Sequence, residues 1–433
     1  MSINDRDYMV PDGDIQNPNW VFQHRGTYSQ FLKLHCNQIT EQWPTAAHRQ
    51  DIANTLLRRV ADPRALRDNW RYLERNCSHA PGPDGLRYGD YSNSEIFDQC
   101  RDMEKTILSG KYLPDDEVVK EIPKGGNRGT RHLVMQCIFD RVVHRTVMSV
   151  IQPILELSFQ SFSFAYRRHR GPLNAVSAAQ RFCLNDERYI WVSVDLRDAF
   201  SRVPIPRLVQ IIRHYLLADD LVDFIERVLS GAPVPGLRQG SPLSPLLMNL
   251  YLHHLLDRPW PTNSKVPLLR YADDILFLCE TQGQAVETYG HLKKILRPTG
   301  MILKGTREDS IQDLRTEKAQ WLGFEFGMVD DGLEIGLGPS AWDSLEDRLA
   351  VAQTKPWAPV RAYKAIEGWI KAKAPAFRGI NLESAYEQIV SIAEDQGFYE
   401  IPSRDQIKML WRQHYEQWAE GLCDDSTAVL EMV

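Results

Sequence analysis

Long apolar runs are missing from these 433 residues. Nothing in the chain approaches the about 20 consecutive apolar residues that a helix needs to cross a bilayer, so no membrane partner is expected. The opening, Met1-Ser2-Ile3-Asn4-Asp5-Arg6-Asp7, lacks the basic-then-apolar layout of a secretory leader. A cytoplasmic protein is the resulting expectation. Cysteine is scarce: Cys36, Cys77, Cys100, Cys137, Cys183, Cys279 and Cys423 are scattered, odd in number and without a Cys-x-x-Cys spacing. That excludes a disulfide framework and a zinc ribbon, and reduced thiols follow. Net positive charge is also absent. At −6 overall, the chain cannot hold a phosphate backbone by bulk charge, so any such binding must come from local clustering.

Local clustering is present. Lys120, Lys124, Arg128, Arg131, Arg141, Arg145, Arg167, Arg168, Arg170 and Arg181 crowd one stretch in which acid is sparse. With 43% hydrophobic and 25% charged residues, a chain of this length buries large cores in two or three subdomains.

Two apolar runs flank an acid pair in Leu269-Arg270-Tyr271-Ala272-Asp273-Asp274-Ile275-Leu276-Phe277-Leu278. Aliphatic and aromatic flanks favour strands, and the acids between them need a counter-charge, so the segment reads as a hairpin whose tip faces a cation. Successive strand residues point to opposite faces; Asp273 is assigned the direct aim and Asp274 the supporting place. A third acid ends Tyr189-Ile190-Trp191-Val192-Ser193-Val194-Asp195. There Ile190, Val192 and Val194 alternate with Trp191, Ser193 and Asp195, which sets Asp195 off the apolar face. Two strands that each end on acid suit two Mg²⁺ ions about 3.5–4 Å apart, the arrangement for in-line attack of a hydroxyl on a phosphate. Mn²⁺ is the alternative metal.

With these acids in place, the order of segments from Asn76 to Phe326 resembles the reverse transcriptase family, most closely its group II intron-like branch and the free-standing bacterial defence-associated enzymes. The resemblance continues more weakly to Pro375. It implies an α+β right-hand polymerase: an N-terminal extension over 1–75, fingers with part of the palm over 76–186, an antiparallel palm sheet flanked by helices over 187–337, and an α-helical thumb over 338–433. It also implies RNA-directed DNA polymerase activity, with Asp195, Asp273 and Asp274 catalytic. The same three residues and Leu196 would hold the metals.

The remaining sites follow from the same resemblance. Lys124 and Arg131, in the hairpin Glu121 to Leu133, would meet the incoming triphosphate. Arg197, Asp198, Ala199 and Phe200 would frame the nucleotide, the amides from Leu196 to Phe200 receiving phosphate where a helix begins. Phe200 stands where the family blocks a ribose 2′-hydroxyl, favouring dNTP; equally, it is a ring buried at a strand-to-helix corner. Asp198 is either a helix-start acid or a neighbour of the sugar. Gln239 and Gly240, in Pro235 to Leu252, would lie against the nascent pair. Tyr271, Ala272, Leu322 and Gly323 would touch primer or template, with Leu322-Gly323 the primer grip. Arg167 and Arg168 are read as template-facing, while Phe159, Phe162 and Phe164 are read as core.

Three departures from the family pattern stand out. Val134-Met135-Gln136 replaces an apolar-Pro pair, and Ala165-Tyr166-Arg167 replaces Phe-Arg-Pro. Arg307 occupies the position of a pyrophosphate-assisting Lys, leaving either Lys304 to substitute or a purely electrostatic role, because arginine does not give up a proton at neutral pH.

Beyond Gly338 the spacing is helical, broken at Pro356, Pro375 and Pro402, with stripes Ile366, Trp369, Ile370 and Ile407, Trp411, Tyr415, Trp418. The expected partners are a structured non-coding RNA template and a cDNA product. Acidic overall charge and the lack of a recognisable endonuclease or zinc module suit a free-standing enzyme more than a splicing maturase. No Val-Thr-Gly of the retron type is seen.

Overall fold

The computed structural model describes residues 55–77, 80–123, 130–260, 265–330 and 332–424. Of the N-terminal extension expected over 1–75, residues 1–54 lie outside them. Helix α1 (Pro63–Asn76) begins on Asp62, whose carboxylate accepts from the Arg64 amide, and buries Leu66, Trp70 and Leu73. Helix α2 (Asn93–Leu108) starts with a reciprocal Ser92 and Glu95 cap. Strands β1 (Val118–Pro123) and β2 (Thr130–Met135) then pair antiparallel as the expected hairpin. Helices α3 (Ile138–Glu156) and α4 (Pro172–Asn185) lead into the palm.

Four antiparallel strands form the palm sheet: β3 (Ile190–Asp195), β4 (Leu268–Tyr271), β5 (Asp274–Cys279) and β6 (Ile311–Asp313), in the order β4-β5-β3-β6. Between β3 and β4 the chain forms α5 (Ile205–Leu216), α6 (Asp219–Leu229) and α7 (Ser244–Leu252), with α7 running into a π turn at His253–Asp257. Helix α8 (Gln282–Leu296) and the short α9 (Arg307–Ser310) separate β5 from β6. Past β6, β7 (Ala319–Trp321), β8 (Phe324–Val329) and β9 (Gly332–Leu337) make a second sheet. Among the described residues four α-helices follow, α10 (Pro339–Gln353), α11 (Ala358–Ala372), α12 (Leu382–Asp395) and α13 (Arg404–Asp424).

Strand alternation gives the palm sheet two buried faces. Ile190, Val192, Val194, Ile275 and Phe277 pack into a core shared with α3 and α5 to α8, whereas Trp191, Leu269, Leu276 and Leu278 pack with α4 and with Trp321, Phe324 and Phe326 of the second sheet. The face that carries Asp195 is therefore not simply polar: Trp191 is wholly buried there. Leu56, Val60, Leu66 and Trp70 belong to the first core, which they share with the palm strands. Past α8, Leu303 makes one isolated bridge to Leu196.

The terminal helices enclose a third core in which Ile366, Trp369, Ile370, Ile407 and Trp411 are buried, as their spacing predicts. Trp418 leaves that stripe: its indole N–H donates to Ser177 Oγ at 2.8 Å, fastening α13 to α4.

Candidate active site

Pairing register decides which acids meet. Asp195 on β3 is the direct cross-strand partner of Asp274 on β5, and Tyr271 on β4 is the partner of Asp274 on its other side. Opposed residues share a face, so the two carboxylates stand side by side at the sheet end, with Asp273 in the turn between β4 and β5. Ala272 makes that turn with φ +57. The turn is also tied to β3, for the Leu196 amide donates to the Asp273 carbonyl at 3.2 Å. Asp274, read from sequence as the supporting acid, is thus the one set directly against Asp195.

The acids crowd one another. Burial first, then the charges of Asp195 and Asp273, push the Asp274 carboxyl up to about 7, against a relieving pull from Lys304. Lys304 Nζ lies 3.1 Å from Asp195 Oδ2, while the Arg307 guanidinium pairs with Glu308. Of the two basic residues weighed for pyrophosphate release, it is Lys304 that reaches the acids. Carboxylate oxygens in excess of local positive charge fit a hard divalent cation such as Mg²⁺. The Leu196 side chain is buried, so any share it takes in holding metal falls to its main-chain carbonyl.

With its folded pKa near 7 and an ordinary value of 3.8, Asp274 contributes stability that is complete below about pH 4 and lost as pH rises through 7. Melting of the metal-free protein is therefore expected to fall over that window. Asp274→Asn should flatten the fall and melt a few degrees higher at pH 8 without divalent cation. Mg²⁺ should stabilise the wild type more at pH 8 than at pH 5.5, and equal stabilisation at both would contradict the crowding.

Beneath the turn lies a group that the spacing of the sequence does not announce. Arg270 is fully buried and uses all five of its N–H donors: two on the Asp257 carboxylate, at 2.8 and 2.5 Å, one on Asn249 Oδ1, one on Ser163 Oγ and one on the Ala272 carbonyl. It holds the acid turn from behind. Asn249 extends the network by donating to the Ala165 carbonyl at 2.6 Å. The edge of β4 is closed by segment 162–164, whose Phe162 carbonyl accepts from the Arg270 amide and whose Phe164 amide donates to the Arg270 carbonyl.

Other expected contacts resolve differently. Arg167 does not face a template: it is buried, pairs with Glu156 and donates to the Gln160 and Ser163 carbonyls. An unpaired guanidinium there would be costly, so the fold consumes it. Arg168 is exposed. Phe159 and Phe164 are core and Phe162 is half-buried, as read.

Among the amides expected to receive phosphate, those of Leu196 and Arg197 are spent on Asp273 and Ile302 carbonyls. Asp198, Ala199 and Phe200 remain, and the helix there is a single 3-10 turn, Phe200–Arg202. Phe200 is half-buried and packs against the core, as a ring at a strand-to-helix corner would. Asp198 is exposed at φ +49. Arg131 lies in β2 opposite Ile122; Lys124 lies outside the described residues.

The two glycines read as lying against nucleic acid have protein neighbours. A Cβ on Gly240, at φ +109, would sit 2.6 Å from Leu133 and 3.1 Å from the Val134 carbonyl. The Gln239 carbonyl accepts from the Val134 amide at 2.8 Å, so this loop is welded to the fingers hairpin. Its next residue, Ser241, bonds to buried His144, which in turn meets Gln136. Gly323 of the Leu322-Gly323 turn, between β7 and β8, has φ +80 and a Cβ position 2.6 Å from Lys373 Nζ. Ala272 is buried and Tyr271 half-buried beside the acids.

A second acidic group, Asp115, Cys137 and Asp140, brings ligand-type atoms within 4.8 Å of one another. The two Asp140 oxygens accept from the Tyr112 hydroxyl and the Asp115 amide, and burial pushes the Cys137 thiol up to about 11.

A family model described as reverse transcriptase (RNA-dependent DNA polymerase) matches residues 122–326, a span that includes all three acids. The chain is similar to Protein YkfC of Escherichia coli K12, 25% identical over 211 residues, 46% of this chain and 55% of that protein. It is also similar to the retrovirus-related Pol polyprotein from type-1 retrotransposable element R2 of Popillia japonica, 28% identical over 151 residues, 30% of this chain and 25% of the polyprotein. It therefore spans about half the length of the first relative and a quarter of the second. Apo telomerase from Candida tropicalis aligns over 74% of this chain and 68% of its own, with TM-score 0.42 and 11% identity. The acid-bearing hairpin, the strand opposite it and the matched span identify residues 122–326 as a reverse transcriptase domain.

Proposed function

We propose that the protein is an RNA-directed DNA polymerase that extends a primer with dNTPs. The observation that carries this reading is the register that sets Asp195 against Asp274 with Asp273 in the adjoining turn. Asp195, Asp273, Asp274 and the Leu196 carbonyl would hold two Mg²⁺ ions. When bound, such ions lower the pKa of a primer hydroxyl and neutralise a triphosphate. The chain's own groups do the rest by positioning and charge. Lys124, Arg131 and the amides of Asp198 to Phe200 hold the triphosphate, and the Phe200 ring limits room beside the sugar. Gln239 supports the nascent pair, Leu322-Gly323 holds the primer end, and Arg168 meets template phosphates. Lys304, the cation nearest the acids, is placed to stabilise the departing pyrophosphate.

The template in this reading is one dedicated, structured non-coding RNA, copied in the cytoplasm for antiphage defence. An overall charge of −6 supports it, because a large ribozyme surface calls for broad basic area.

Purifying the wild type and an Asp273→Asn, Asp274→Asn variant from the native host, and sequencing the RNA and DNA bound to each, tests both levels. One discrete small RNA in both samples with complementary DNA only in the wild type is the expected result. A spliced or lariat intron in both would move the protein to the maturase class.

A further inference from the structure

Lys373 is the buried charge in this molecule with the least obvious reason to be there. It follows α11 and is only 9% exposed. No carboxylate contributes to its surroundings among the described residues; the one charge acting on it is the like charge of Arg348, and burial pushes its ammonium down to about 8. An unpaired ammonium in such a place costs stability, so its position calls for a compensating use.

Its contacts point in one direction. Nζ donates to the Leu322 carbonyl at 3.3 Å and lies 4.5 Å from the centre of the Phe324 ring. The missing side chain of Gly323 makes the approach: a Cβ there would stand 2.6 Å from Nζ. The backbone of Lys373 is held from the thumb side. Its carbonyl accepts from the Trp411 indole at 2.9 Å, and Trp411 packs edge-on to Trp369, whose indole donates to the Ala341 carbonyl. The turn is also joined to the start of α10 through the Gly338 amide and the Gly323 carbonyl, at 3.2 Å.

We propose that Lys373 is a positioning residue whose ammonium fastens the Leu322-Gly323 turn to the thumb, so that the primer end and the thumb move as one body. The proposal deepens the polymerase reading, because the turn is the element assigned to the primer. Lys373 acts through that turn and needs no direct contact with nucleotide. A methionine fits the same apolar surroundings without a charge to desolvate, so Lys373→Met should melt at or above the wild-type temperature. Losing the charged hydrogen bond should weaken primer–template binding roughly tenfold, with KM for dNTP unchanged and Lys373→Arg restoring most of the affinity.

The test uses the full chain and a fluorescent DNA primer annealed to RNA, read by anisotropy without dNTP and then by extension. Weakened binding in a stable Lys373→Met protein supports the proposal. Binding equal to wild type, or loss only in proportion to unfolded protein, overturns it. A wild type that binds but does not extend would defeat the polymerase reading alone, since anisotropy still reports on Lys373. Hydrogen exchange on the wild type provides a measurement free of any variant. Amides of 321–324 and 369–373 should gain protection together when primer–template is added, and protection of the turn without the helix end would overturn the coupling.

Discussion

Asp273→Asn is expected to abolish primer extension, by roughly three orders of magnitude or more, while the protein stays folded. The change keeps shape and removes one negative charge from a turn where burial and neighbouring acids already crowd Asp274. Stability should therefore hold or rise, which separates a chemical loss from a folding one. Asp195→Asn should act alike. The double variant should be scarcely worse than either single one, because the acids work as a unit and their losses do not add. Single-turnover extension with saturating dNTP, beside thermal melting, is the measurement. Extension retained by Asp273→Asn would sink the assignment of the site.

The second large effect is predicted at Arg270. Asp257→Asn leaves a wholly buried guanidinium without its carboxylate, and Arg270→Met strands Asp257, Asn249 and Ser163 without their donor. Breaking one side of a buried ion pair costs about 3–5 kcal/mol, and urea midpoints should show it for each variant. Removing both sides together, as Arg270→Met with Asp257→Leu, takes away the stranded charge and should recover much of that stability. Activity should not return with it. The Ala272 carbonyl would still lack its donor, and the turn that aims Asp273 would lose its support. A double variant that regains both stability and extension would show that the pair serves folding alone. The sign and size of the coupling follow from the double-mutant cycle.

These two predictions come from different kinds of information. The acids are legible in sequence because local chemistry betrays them: carboxylates between apolar runs must turn outward toward a cation, and strand alternation gives their parity. Arg270 sits between those same runs, yet nothing local distinguishes it from a solvated arginine. Its partner, 13 residues away, is the last residue of a π turn, and only the fold brings them together. Arg167 errs in the opposite sense. An arginine in a basic, aromatic loop reads as nucleic-acid contact until Glu156 is seen against it at 2.6 Å. The glycines show the same limit. Gly240 and Gly323 are recognisable as positions where something approaches closely, but whether the neighbour is nucleic acid or the protein's own β2 and Lys373 is a long-range fact.

The sequence by itself determined the order of motifs, the acid-tipped hairpin, the strand ending on Asp195 and the helical character of the C-terminal region, because periodicity and turn chemistry act over a few residues. Tertiary structure alone decided that Asp274 is the acid opposed to Asp195, that Lys304 rather than Arg307 reaches the acids, that Trp418 ties α13 to α4, and that Lys373 is enclosed at the primer-grip turn. Each depends on the pairing register or on the meeting of segments far apart in the chain. A buried charge finds its partner in space, and sequence spacing carries no record of that distance.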